Sequence, residues 1–96
     1  MLVVITYDVN TMDAAGEKRL RRVAKLCERY GVRVQNSVFE VLVDAVQLTT
    51  LKHELSKEIN KNLDSIRFYR LGNSYQNKID SMGKKLKVEA GEPLLL

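Results

Sequence analysis

Cysteine and histidine each occur once in this sequence, and tryptophan not at all. A lone cysteine excludes an internal disulfide framework and suits a reducing compartment, the cytoplasm. Cys27 falls within a helical apolar pattern, where a small core side chain fits. His53 lies between Lys52 and Glu54, off the apolar stripe of its segment, and is expected at the surface. One histidine supplies neither a catalytic triad nor a metal cluster. Aromatic residues make up 6% of the chain, too few for the stacking platform of an RNA-binding module. The opening apolar run has no basic leader and is too short for a signal peptide, and no segment reaches the length of a membrane span. There is no P-loop, no GxGxxG, HExxH, CxxC or GxSxG. Acid–base or nucleophilic catalysis of the protease type therefore has few players, and what remains is carboxylate plus metal.

What is present centres on Leu2-Val3-Val4-Ile5-Thr6-Tyr7-Asp8. Four consecutive apolar residues do not alternate as a half-buried strand does, so this run reads as a central strand. It ends on a carboxylate at the edge where the sheet opens. Asp13 then caps a helix over residues 14–30, in which Leu20, Val23, Ala24 and Cys27 recur at helical spacing and Gly31 is the stop. Lys18, Arg22, Lys25 and Arg29 step by four, three and four residues along the same segment, making one basic stripe. Both a solvated helix face and a polyanion grip satisfy that stripe. Sixteen Lys and Arg against twelve Asp and Glu give a net charge of only +4, so the clustering says more than the total.

Residues 32–44 read as extended throughout but are too long for one strand. Gln35-Asn36-Ser37 interrupts them, which divides the run into strands near 32–36 and 37–44. Asp44-Ala45-Val46-Gln47 has the form of a capping box for a second helix with Leu48, Leu51, Leu55 and Ile59 on its buried stripe. After a polar break at 60–64, residues 65–71 form a further strand. In the remainder, Tyr75, Ile79 and Met82 suit one side of a short helix, and Leu86-Lys87-Val88 a brief strand.

The order strand, helix, strand, strand, helix, strand is the α+β, ferredoxin-like (βαββαβ) plan: an antiparallel sheet with two helices on one face. Residues 1–72 form this core and 73–96 an extension. Because Leu2–Ile5 and Val41–Val43 are apolar on both sides, a second protomer related by a two-fold axis is expected over the other face. One aspartate is a poor cation site. Two copies of Asp8 across that axis make a credible one for Mg²⁺, which binds through one or two carboxylates and keeps several waters. A simple turn cap is an equally open role for Asp8.

Tyr7-Asp8-Val9 behind an apolar strand, the Arg19–Arg22 helix entry, and the stretch from Cys27 through Arg33-Val34-Gln35-Asn36-Ser37-Val38-Phe39-Glu40 together resemble the Cas-two family of CRISPR-associated proteins, over roughly residues 1–72. The resemblance implies a homodimer packed sheet on sheet, with Asp8 as the metal-binding and catalytic carboxylate. It also implies Mg²⁺ (or Mn²⁺) as cofactor, and the Cas-one integrase of spacer acquisition as partner. The implied activity is endonuclease cleavage of DNA or RNA; the alternative is a non-catalytic scaffold that holds duplex DNA. By position, Tyr7, Arg33, Ser37 and Phe39 join Asp8 as candidate site residues. Lys18, Arg19, Arg22, Lys25 and Arg33 are the candidate nucleic-acid contacts. Ser37 and Phe39 share a face if their strand is regular. Phe39 equally suits the core, and Arg33 a surface charge. The extension is expected to add the strand 86–88 to the other protomer.

Overall fold

In the computed structural model, residues 1–84 are described. They form β1 (Leu2–Asp8), α1 (Ala14–Glu28), β2 (Gly31–Gln35), β3 (Val38–Leu42), α2 (Ala45–Glu58) and β4 (Ser65–Gly72). The sheet order is β2-β3-β1-β4 with every neighbouring pair antiparallel, so β1 is central as its composition requires. This is the ferredoxin-like plan.

One face of the sheet carries Val3, Ile5 and Tyr7 of β1 with Phe39 and Val41 of β3. These pack against Leu20, Val23, Ala24 and Cys27 of α1 and Leu48, Leu51 and Leu55 of α2 in a single core. Both helices therefore cover the same face. Each begins as the sequence dictates. The Asp13 carboxylate accepts from Gly16 N at 2.7 Å, and the capping box at α2 closes from both sides, at 2.7 Å (Gln47 N to Asp44) and 2.9 Å (Asp44 N to Gln47).

Three boundaries differ from expectation. Helix α1 ends at Glu28, and Gly31 is already the first residue of β2, opposite Val41. Its glycine is required by contact rather than by a left-handed turn: a Cβ there would lie 1.9 Å from the Glu40 carbonyl oxygen. The first hairpin strand keeps its expected length but sits one residue earlier, at 31–35, and the second is shorter, 38–42; a two-residue turn at Asn36-Ser37 joins them, and the register slips between Arg33 and Gln35. Residues 73–84 hold no helix. Lys78 N bonds to Tyr75 O at 2.9 Å and Lys78 Nζ to Leu71 O at 3.0 Å, which makes a turn held to the end of β4. Met82 is 98% exposed while Tyr75 and Ile79 are half-buried, so the three do not form the common buried side expected of a helix. The strand expected at 86–88 lies outside the described residues.

Candidate active site

Asp8 is the last residue of β1 and stands opposite Ser65, the first of β4. Alternation along β1 puts Tyr7 on the helix-covered face and Asp8 with Thr6 on the uncovered one. Thr6 stands between Val38 of β3 and Arg67 of β4. A shallow depression of about 530 Å³ opens there, lined by Thr6, Tyr7, Asp8, Ser37, Val38, Ser65 and Arg67. Asp8 is exposed, and among the described residues its carboxylate makes no hydrogen bond or ion pair.

The strand end is clipped from beneath. Tyr7 N donates to Ser37 O at 2.9 Å, tying β1 to the hairpin turn. The Tyr7 hydroxyl donates to the Asp64 carboxylate, whose side chain is wholly buried. Arg19 grips the same carboxylate through Nε at 2.8 Å and Nη2 at 3.1 Å, and Asn60 N donates at 3.0 Å. Burial pulls the Asp64 carboxyl upward, but hydrogen bonds from Arg19, Tyr7 and Asn60, with the Arg19 charge, outweigh it and hold it below its ordinary range. Burial, then the bond to Asp64 and its charge, push the Tyr7 hydroxyl up to about 12. The connector after Asp8 is closed as tightly: a Cβ on Gly16 would lie 1.7 Å from Asn10 O, so only glycine lets α1 start this close to the loop.

Several expected site residues are elsewhere. Phe39 is fully buried and faces the helices, opposite Ile5, so it is core and does not reach the Asp8 depression. Ser37 does line that depression. The two do not share a strand face because Ser37 belongs to the turn. Arg33 stands opposite Phe39, its guanidinium 5.8 Å from that ring's centre, and donates to Asn36 O at 2.7 Å and Asn36 Oδ1 at 3.3 Å; it staples the hairpin. Arg19 is committed to Asp64 and drops from the free basic surface. Arg22 pairs with Glu58 at 3.8 Å and Arg29 with Glu54 at 3.3 Å, both across to α2 and partly solvated. Lys18 and Lys25 remain, joined by Arg21, which the four-three-four stepping omits. These three are exposed without acidic partners among the described residues. They belong to α1, on the layer opposite the one into which Asp8 projects. Cys27 is buried and its thiol pushed up to about 12 by that burial, then by Glu28, which makes it inert.

A family model described as CRISPR associated protein Cas2 matches residues 1–79. The chain belongs to the Cas2 family. Among Cas2 proteins, the CRISPR-associated endonuclease Cas2 of Halalkalibacterium halodurans is 55% identical over 95 residues, 99% of each chain. The CRISPR-associated endoribonuclease Cas2 of Nitratidesulfovibrio vulgaris is 49% identical over 96 residues, covering 100% of this chain and 94% of that one. The crystal structure of Streptococcus pyogenes Cas2 at pH 6.5 superposes with a TM-score of 0.82 at 53% identity, over 86% of this chain and 100% of that one.

The donors around Asp8 in this Cas2 chain are all oxygen: one carboxylate with the hydroxyls of Thr6, Ser37 and Ser65. That chemistry suits a hard divalent cation that keeps most of its waters. Among the described residues no group of three His, Cys, Asp or Glu gathers anywhere, so one chain alone offers no closed cage. No helix among them is long and apolar enough to cross a membrane.

Proposed function

We propose that this chain is a Mg²⁺-dependent endonuclease of CRISPR spacer acquisition, acting as a homodimer in the cytoplasm. The observation that carries this reading is the Asp8 carboxylate, unpaired among the described residues, at the open edge of the central strand, with the hydroxyl residues Thr6, Ser37 and Ser65 around it and the Tyr7–Asp64–Arg19 clip beneath. The endonuclease and endoribonuclease names of relatives near half identity support it. A second copy supplies the second Asp8. Val4, Val38, Leu42 and Tyr69 on the uncovered face are apolar surface suited to that contact, Leu42 and Tyr69 being 36% and 45% exposed.

In this reading Asp8 of each protomer holds Mg²⁺, or Mn²⁺ in its place, with Ser37 and Thr6 fixing water beside it. When bound, the ion would supply Lewis-acid polarisation of the phosphodiester and would lower the pKa of a bound water so that hydroxide is available as nucleophile. The chain's own work is positioning: the Tyr7–Asp64–Arg19 clip and the Ser37 bond hold β1 so that Asp8 does not swing. The test is cleavage of single-stranded RNA and duplex DNA with Mg²⁺, with EDTA, and by Asp8→Ala. We expect chelation and substitution each to remove activity by at least roughly 10–100-fold, the range lost on removing even outer-shell metal partners. Equal cleavage in all three preparations refutes the reading.

A second reading has its own observation. Lys18, Arg21 and Lys25 recur at i, i+3 and i+7 on α1, exposed and unpaired among the described residues, a phosphate-contacting row suited to duplex DNA held for the Cas-one integrase. That scaffold role uses a different layer of the molecule and is compatible with the first.

A further inference from the structure

Arg67 was not among the residues that the sequence pattern singled out, yet it lines the same depression as Asp8. The strand register places it there. Thr6 stands opposite Arg67 and Asp8 opposite Ser65, so Arg67 and Asp8 are diagonal neighbours on one face of the β1–β4 pair. Such diagonal positions lie about 7–8 Å apart, within reach of a long side chain. Its charge is also uncommitted. Arg19, Arg22 and Arg29 each have a carboxylate partner, whereas among the described residues Arg67 has none. Its Nη1 donates to the Tyr69 hydroxyl at 3.1 Å, and its guanidinium carbon lies 5.9 Å from the centre of that ring. A guanidinium has five N–H groups, so this contact holds it along the sheet face with most donors unused. Asp8 beside it is equally unpaired. An anion and a cation on one sheet face, neither paired within the protomer among the described residues, leave between them, at the end of β1 beside the proposed dimer contact, a place for a group that needs both.

We propose that Arg67 is a phosphate-binding residue of the Asp8 site, donating to a non-bridging oxygen of the phosphodiester while Tyr69 holds the guanidinium in position. This rests on the reading of Asp8 as the cleavage centre and deepens it. A phosphodiester presents two non-bridging oxygens, and a cation held by Asp8 would leave part of their charge for a second group to neutralise. The Arg67 guanidinium supplies that second group, with directed hydrogen bonds to a non-bridging oxygen. The basic row of α1 cannot do this, because it lies on the opposite layer. Arg67 transfers no proton and forms no bond to substrate.

The test has two readouts. Fluorescence anisotropy of labelled single-stranded RNA and duplex DNA in EDTA, over a salt series, measures phosphate binding without cleavage. Arg67→Gln should lower the log–log salt slope by about 0.7 for the single strand or about 0.9 for the duplex, and Arg67→Lys should restore it. In Mg²⁺, Arg67→Gln should raise KM roughly tenfold or more, the loss of one hydrogen bond to a charged group. Tyr69→Phe should raise KM less and leave the slope unchanged. A slope and KM unchanged by Arg67→Gln in protein that melts like wild type overturns the proposal, as does weaker binding with an unchanged slope. If Arg67→Gln does not fold, Arg67→Met, which keeps the apolar stem and removes the charge, carries both readouts in its place, and a wild-type slope and KM in it overturn the proposal. Cleavage that survives Asp8→Ala refutes the Asp8 reading, while the salt slope still decides Arg67.

Discussion

Replacing Arg19 by methionine should be among the most damaging single changes available outside the apolar core. The Asp64 side chain is fully buried, and its carboxylate accepts from Tyr7, from two Arg19 nitrogens and from Asn60 N. Methionine keeps much of the packing volume and removes the cation that grips it. A buried carboxylate left without its partner costs about 3–5 kcal/mol. For a domain of this size each kcal/mol lowers the melting temperature by about 4–8 °C, so a fall of roughly 12 °C or more is expected. Urea unfolding followed by circular dichroism at fixed protomer concentration measures it. The double variant Arg19→Met with Asp64→Asn should recover part of the loss, because the uncompensated charge is then gone. The pH profile gives an independent check. Asp64 is held below its ordinary range, so its contribution is present above that range and lost as acid takes the pH down through the folded value. Tyr7 is raised from 10.0 to about 12, so its contribution is full below the lower value and fades as pH climbs to the upper. Arg19→Met should flatten the acid limb. A loss under about 1 kcal/mol, or an acid limb identical to wild type, would show that Asp64 does not depend on the guanidinium.

Two further perturbations follow from the same geometry. Gly16→Ala forces a methyl to within 1.7 Å of Asn10 O, so the connector behind Asp8 must shift. The expected loss is about 1–3 kcal/mol in urea unfolding with weakened Mn²⁺ binding, and an unchanged midpoint would refute the contact. Reversing Lys18, Arg21 and Lys25 to glutamate should weaken duplex DNA binding and reduce its salt slope by roughly 0.9 for each phosphate no longer neutralised, leaving the melting temperature within a few degrees. Wild-type binding by that variant would exclude this face.

How far these elements were legible depends on the range of the interaction that sets them. The capping box at Asp44 and Gln47 is a four-residue device, and both of its hydrogen bonds form as its pattern indicates. The central strand was legible because a run apolar on consecutive residues suits few other places in a sheet. Ser37 and Phe39 do not share a face, because a common face requires an unbroken strand and the turn at Asn36-Ser37 breaks it; Ser37 lines the Asp8 depression and Phe39 takes the core role left open for it. Arg19 was misjudged for a different reason. It lies three residues after Gly16 and four before Val23, at the border of the buried stripe, and that is the one local sign that it turns inward. Its partner is 45 residues away, in a segment that reads only as a polar break. Arg67 carried a sign that was there to use: Ser65, Arg67 and Tyr69 alternate with half-buried Ile66 and Phe68. The alternation puts its charge on the same open face as Asp8.

The layer structure decides how the two proposed roles relate. The helices pack on the face that bears Tyr7, and Asp8 with Arg67 projects from the other, so the sheet itself separates the proposed cleavage centre from the α1 cation row. Arg22 and Arg29 pair with glutamates of α2, and Arg19 serves the buried clip, so these three arginines are committed within the protomer. Charge changes on α1 therefore act on nucleic-acid grip without touching the residues around Asp8. Changes at Asp8 or Arg67 leave the α1 row intact. Surfaces on opposite layers share no side chain, so their effects on binding free energy should add. A strong departure from additivity would mean that one nucleic-acid strand wraps from one face to the other, which would make cleavage centre and scaffold a single continuous site.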